Sequence, residues 1–266
     1  MGEIFNLLLL QPITNTGLGL YVLLNNFGVP YALGFSIILL TIIIRLLLYP
    51  VMSKQMKSAK LMQQIAPHLS TIKEKHKDDR KKQQEEMMKL YKEHGVNPAA
   101  GCLPLLIQLP VIWSLYHVLS KIVSQDSVAV MKDLNASAYF EWMKVSEPLH
   151  TSFFGLNLAH SPSKDFSVAP YLVLIPVLTG VLQFVLSKMM MSTTPPVKSK
   201  DGKEDFQATF QKQSLFIFPI MIGFFSFSLP VGLSLYWNTF TLFGILHQYR
   251  IAGWGGMLPV IEKIKK

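Results

Sequence analysis

The amino-acid sequence predicts an all-α polytopic membrane protein, and three observations predict it. Half of the 266 residues are apolar and only 15% are charged, whereas soluble globular domains carry about 25% charged residues. The uncharged residues gather in four long runs, and the net charge of +9 is concentrated between them. This composition excludes a disordered chain and an ordinary soluble enzyme. A single cysteine, Cys102, also excludes an intrachain disulfide framework and any multi-cysteine zinc site.

The first run lies between Glu3 and Arg45, 41 residues without Asp, Glu, Lys or Arg, where one membrane helix needs about 20. Turn residues at Leu24-Asn25-Asn26-Phe27-Gly28-Val29-Pro30 divide it. Residues 1–29 are therefore expected to form a short interfacial helix at the extracytoplasmic surface, and residues 30–52 the first span. No basic region precedes Ile4-Phe5-Asn6-Leu7-Leu8-Leu9-Leu10, so this start reads as a retained helix and not as a cleaved signal.

Residues 53–98 are expected to form a cytoplasmic helical hairpin. Met52, Met56, Ala59, Met62 (or Gln63), Ala66 and Leu69 recur at three- and four-residue steps, a seam for a partner helix. After Lys75-His76-Lys77-Asp78-Asp79 the chain reverses, Met87, Leu90 and Tyr91 pack back, and Gly95-Val96-Asn97-Pro98 ends the second arm. Two readings of its basic surface stay open: solubility, or docking of RNA, lipid headgroups or a protein, since lysine-rich faces attract all polyanions.

The second span is placed at residues 101–121, an extracytoplasmic loop at 122–167, the third span at 168–190 and a cytoplasmic loop at 191–212. Tyr139, Phe140, Trp142, Phe153 and Phe154 in the outer loop read as interface anchors. The last run, Gln213–Tyr249, has 37 residues, and as one helix would reach about 55 Å, nearly twice the hydrocarbon thickness.

Charge decides how often that run crosses. Lys and Arg number 12 from Arg45 to Ala100, 5 from Lys188 to Lys212 and 4 from Arg250 to the end, 21 of the 25 in the chain. The positive-inside rule puts these three segments in the cytoplasm, so an even number of crossings separates them. The last run is then a hairpin, spans 213–229 and 231–249 turning outside at Pro230-Val231-Gly232, with a cytoplasmic tail at 250–266. The expectation is five spans, N-terminus out and C-terminus in. Arms of about 16 to 18 residues reach only roughly 24 to 27 Å, which implies local thinning or tilt.

Arg45 stands between Ile42-Ile43-Ile44 and Leu46-Leu47-Leu48, nine residues before the next charge at Lys54. Facing lipid it would cost about 2.5 kcal/mol or more. It either snorkels to the cytoplasmic interface or faces a hydrated pocket open to the cytoplasm. The absence of Asp and Glu from all five expected spans favours the pocket. Gln108, Gln183, Asn238 and Thr239 add uncharged polar groups at membrane depth, each either an interhelical hydrogen bond or a pocket lining. Pro104, Pro110, Pro170, Pro176 and Pro219 bend helices away from tight packing. The Met189-Met190-Met191 run supplies adaptable apolar surface or lipid-facing filler. No catalytic or phosphate-binding motif occurs, His117 and His247 are too isolated in sequence to suggest a metal site, and no repeat is visible. Neither enzyme activity nor a cofactor is expected.

Three stretches, Thr41-Ile42-Ile43-Ile44-Arg45 with Tyr49-Pro50, Gly101 to Pro110, and Pro230 to Trp237, resemble the YidC family of membrane protein insertases, related to mitochondrial Oxa and chloroplast Albino proteins. The resemblance covers essentially the whole chain. It implies five helices around a hydrophilic groove that opens to the cytoplasm and the lipid, receives nascent transmembrane segments and releases them laterally. It further implies that Arg45 is the groove arginine, that Trp237 contacts substrate, and that Gln108 and Gln183 line the groove; Asn238, a polar group at membrane depth, is counted as a groove residue with them. The implied partners are nascent membrane proteins, membrane lipid, the Sec translocon, the signal recognition pathway and the ribosome, with no role for DNA. The long basic tail of some relatives is reduced here to a few residues, which weakens the case for ribosome docking through it. A bacterial plasma membrane is the expected location. Arg45→Lys is expected to be tolerated. The rival reading is a small-molecule or anion transporter that uses Arg45, against which stand the absence of intramembrane carboxylates and of repeat symmetry.

Overall fold

A computed structural model describes residues 2–96, 103–124, 127–191 and 206–264. Among these the chain is helical apart from its connections and one two-stranded hairpin. It divides into two compact units, residues 1–47, 105–182 and 220–243 in the first, and residues 48–104, 183–219 and 244–266 in the second.

The first unit begins with α1 (Gly2–Phe5), a π-helical turn (Asn6–Leu10) and α2 (Gln11–Asn26). This differs from the short helix expected from sequence. Glu3–Asn26 is helical over 24 residues, long and apolar enough to cross a membrane by length and composition. The break after it follows the turn residues. Gly28 N–H donates to the Asn25 carbonyl and Val29 N–H to that of Leu24, with Gly28 at φ +69°. That is a Schellman motif, which needs the left-handed conformation glycine adopts most easily.

α3 (Ala32–Leu47) packs against α2 through Leu18, Tyr21, Val22, Leu33, Ile37 and Leu40, all buried. α6 (Leu103–Ser124) and α7 (Ser127–Ser137) extend this core with Val111, Leu115, Leu119, Val130 and Leu134. Asn15 ties α2 to the segment after α7. Its Nδ2 donates to the Ser137 carbonyl at 2.9 Å, and its Oδ1 accepts from Tyr139 N–H at 2.7 Å. Asn15→Ala strands both partners. At about 1–3 kcal/mol for each unsatisfied buried group, it should destabilise the protein by about 2–4 kcal/mol in detergent unfolding, and a loss under about 1 kcal/mol would show that the loop holds without it.

The region expected as an aromatic-anchored outer loop is partly structured. β1 (Ser152–Phe153) and β2 (Leu156–Asn157) pair through a turn with Phe154 at φ +46° and Gly155 at φ +82°, the two positive φ angles of a tight hairpin. Tyr139, Phe140, Trp142 and Phe154 are exposed. Phe153 is not: it packs on Tyr31 and Phe35, and a Cβ on Gly34 would lie 2.0 Å from its ring. Its apolarity thus serves the core and not an interface.

α8 (Leu174–Met189), α9 (Phe206–Ser228) and α10 (Val231–Ala252) complete the helical framework. The segment 158–163 caps the α9–α10 tip from both sides. Ser163 N–H donates to the Phe227 carbonyl at 3.0 Å, while Val231 and Gly232 N–H donate to the His160 and Leu158 carbonyls at 2.8 Å each. These bonds satisfy terminal helix groups that would otherwise be orphaned. Deeper in, Ser226 Oγ lies 3.2 Å from Thr179 Oγ1 and 2.8 Å from Ser234 Oγ, a hydroxyl ladder joining the three helices.

Both arms of this hairpin are longer than their apolar runs. α9 has 23 residues and α10 has 22, about 33 Å or more, although the apolar part of α9 is only Gln213–Ser228. Apolarity marks where lipid is tolerated, whereas a helix ends where a breaker stands, here Gly253 at φ +70°.

In the second unit α4 (Tyr49–Lys75) begins immediately after α3, with Pro50 in its first turn, a position where proline lacks no needed donor. Helix therefore breaks at Leu48, earlier than the boundary expected near residue 52. α4 packs with α5 (Arg80–Glu93) through Ile65, Leu69 and Val96, flanked by Met62, Met87, Leu90 and Tyr91. Ala66, placed in the seam from sequence, is exposed and Ile65 takes its place. The larger side chain wins the buried position. Asp79 caps α5 by accepting from Lys82 N–H, and Val96 N–H returns to the Tyr91 carbonyl. α11 (Leu258–Ile264) ends the described chain.

Candidate functional site

Arg45 lies in the last turn of α3 and is only 5% exposed. Its Nη2 donates to the Phe240 carbonyl at 2.6 Å, and its guanidinium carbon sits 3.4 Å from the centroid of the Phe240 ring and 5.8 Å from that of Phe243. None of these partners is a carboxylate. A desolvated cation–π contact contributes about 2 kcal/mol and a charged hydrogen bond about 1.5–3 kcal/mol, against a burial penalty of several kcal/mol for the ion. Arg45 Nε is buried with no hydrogen-bond partner. The cation is held in place by α10 but not neutralised by it.

α10 supplies the remaining polar groups. Asn238 Oδ1 and Thr241 Oγ1 are buried without partners. Tyr236 is 1% exposed and accepts a hydrogen bond from Gln108 Nε2 of α6. Its ring centroid is 6.0 Å from that of Phe240. A line of contacts thus runs from Gln108 through Tyr236 and Phe240 to Arg45. Trp237 is half-buried on the next position of α10.

Of the residues singled out from sequence, Arg45, Gln108, Trp237 and Asn238 lie in the first unit, while Gln183 lies in the second and donates to Ser187 Oγ in its own helix at 3.5 Å. Tyr236, Phe240, Phe243 and Thr241 were not singled out. Tyr236, Phe240 and Phe243 follow at i, i+4 and i+7, one face of a helix, and that spacing was the signal available for them. In the second unit His247 is also less isolated than its sequence position suggested. It is buried, its Nε2 lies 2.9 Å from Ser53 Oγ, and its ring stacks on Tyr49 at 4.1 Å. Among the described residues no cluster of His, Cys, Asp or Glu could hold a metal ion.

Apolar helices that enclose a buried, carboxylate-free arginine place the chain among α-helical membrane proteins. Residues 22–254 match the family described as 60Kd inner membrane protein. The chain is 34% identical over 212 residues to the membrane protein insertase YidC of Streptomyces avermitilis, covering 79% of this chain and 48% of that one. It is 35% identical over 219 residues to the membrane protein insertase YidC of Fusobacterium nucleatum, covering 82% of this chain and 85% of that one. A crystal structure described as an active YidC insertase with its first transmembrane domain resolved superposes with a TM-score of 0.50 at 30% identity, over 82% of this chain and 41% of that chain. The chain belongs to the YidC family.

Proposed function

We propose that this protein is a membrane protein insertase of the bacterial plasma membrane, which receives nascent transmembrane segments in a hydrated groove and releases them sideways into the bilayer. The observation that carries the reading is Arg45, a buried cation with an unpartnered Nε in a chain whose relatives are named insertases. Unpartnered acceptors on Asn238 and Thr241 add to it. A guest with both acceptors and donors, such as the carboxylates and amides of an incoming polypeptide, complements this set; an apolar guest does not.

Five spans with the N-terminus outside and the C-terminus inside carry this activity, with α4 and α5 as a cytoplasmic capture region. The groove is lined by Arg45, Gln108, Trp237 and Asn238 of the first unit. A fixed cation in a hydrated recess shortens the hydrocarbon that a polar tail must cross and attracts acidic residues in that tail. No nucleotide is required, since burial of about 20 apolar residues is itself favourable. Nascent membrane proteins are the substrates. The Sec translocon, the signal recognition pathway and the ribosome are the partners with which it would share them.

Reconstitution tests this directly. Proteoliposomes holding only this protein should integrate a single-span substrate with a short acidic tail, read by protease protection, and should not accumulate a small anion. The reverse result would make the protein an anion transporter. Photocrosslinkers at Gln108 and Trp237 should trap stalled nascent chains; traps only at positions outside the first unit would relocate the groove.

A further inference from the structure

The second unit contains a cleft of about 850 Å³, within the size range of built ligand sites. Three elements form it: α4 with Met56 and Lys60, the end of α8 with Met189, and the end of α10 with Arg250 and the turn at Trp254. Each stands where an uncharged run gives way to basic sequence, at Lys54, Lys188 and Arg250. The cleft is thus at the depth of a membrane interface, on the side that the concentration of positive charge assigns to the cytoplasm.

Its chemistry is amphipathic. Among the described residues Lys60 and Arg250 line it, no Asp or Glu does, and neither cation makes an ion pair. The Tyr249 and Trp254 rings lie 4.9 Å apart beside them, the aromatic pairing common at headgroup level. Methionine thioethers and Leu258 supply the apolar wall. The floor is fixed: Gly256 N–H donates to the Met191 carbonyl at 3.1 Å and Gln248 Nε2 to that of Met189 at 3.4 Å. Met189 itself is 1% exposed, so it is part of this wall and not lipid-facing filler.

We propose that this cleft binds an anionic phospholipid of the cytoplasmic leaflet, with its phosphate at Lys60 and Arg250, its glycerol beside Tyr249 and Trp254, and its upper acyl chains along the methionines. Basic pockets beside membrane helices on the cytoplasmic side take anionic headgroups, and soft methionine surface accepts chains of varied shape. An acidic peptide would use the two cations but leave the apolar wall unfilled. The proposal uses no contact of Arg45 and stands or falls without it.

The test uses the full chain, purified, delipidated and titrated with phosphatidylglycerol or phosphatidylcholine, read by native mass spectrometry and thermal unfolding. Phosphatidylglycerol should be retained and should raise the melting temperature, phosphatidylcholine should do neither, and Lys60→Gln/Arg250→Gln should lower retention by roughly tenfold, the effect of losing about 1.4 kcal/mol. Lys81→Gln/Lys82→Gln on α5, which removes the same charge elsewhere, should leave it unchanged. Equal retention by the two double variants, or of the two lipids, overturns the proposal. So does displacement of both lipids alike by an acidic peptide. If the first double variant does not fold, salt decides: raising it to about 0.5 M should abolish the stabilisation of the parent by phosphatidylglycerol, and persistence would overturn the site.

Discussion

Arg45→Ala should lower insertion of substrates with acidic extracytoplasmic tails by roughly tenfold or more, and of neutral-tailed substrates far less. A charge-assisted hydrogen bond contributes about 1.5–3 kcal/mol, and about 1.4 kcal/mol is a factor of ten in binding. Arg45→Lys should keep most of the activity, since an ammonium retains the charge and can sit over the Phe240 ring, although it cannot reproduce the planar stack that holds the guanidinium at 3.4 Å. Stability should move the other way. Arg45 is buried and has no carboxylate partner among the described residues, and replacing buried charge with apolar volume is often neutral or stabilising. Arg45→Met should therefore unfold at an equal or higher temperature while inserting poorly. Equal insertion of acidic-tailed substrates by Arg45→Ala and the parent, at equal expression, would sink the electrostatic mechanism. Loss of insertion together with a lower melting temperature in Arg45→Met would reduce Arg45 to a packing residue.

Gly255→Ala should be among the most damaging single-methyl substitutions in the chain. A Cβ there would lie 1.9 Å from the Met189 carbonyl oxygen, and the residue has φ +48°. Both the backbone conformation and the space therefore exclude a side chain. Gly253 provides the comparison, with φ +70° and nothing within 4 Å of an added Cβ. Gly253→Ala should cost only the left-handed penalty of about 1–2 kcal/mol. Gly255→Ala must also separate the turn from the end of α8, and should at least double that loss. Thermal unfolding of the two variants in detergent compares them. Equal losses would show that the turn relaxes freely and that the close approach carries no stability.

What the sequence made legible was whatever a one-dimensional signal encodes. The Gly28 and Gly95 helix ends, the reversal near Asp79 and the membrane class itself follow from breakers, charge and apolar length. Arg45 stood out because a charge amid isoleucine and leucine is improbable without a reason. Side-chain partners were less legible. Trp237 was singled out through the family resemblance, yet Tyr236 bonds Gln108 and Phe240 holds Arg45. The choice between neighbouring positions depends on helix rotation, to which a run apolar all round gives no clue. Ile65 displaced Ala66 from the α4 seam for the same reason, since one residue is a rotation of about 100°. The capping carbonyls of residues 158–160 left no trace in sequence at all, because a backbone acceptor carries no residue identity.

Those carbonyls bear on how the protein itself is made. The segment that caps the α9–α10 tip precedes both helices in the chain, with Leu158, His160 and Ser163 synthesised before Phe227, Val231 and Gly232. On the proposed topology this loop is exported first, so the final hairpin arrives at waiting acceptors and a waiting donor, and its polar turn is desolvated only as it docks. Synthesis from the N-terminus thus supplies the receptor before the ligand. A circular permutant beginning near residue 206 would reverse that order, and should assemble more slowly than the natural chain while reaching the same fold.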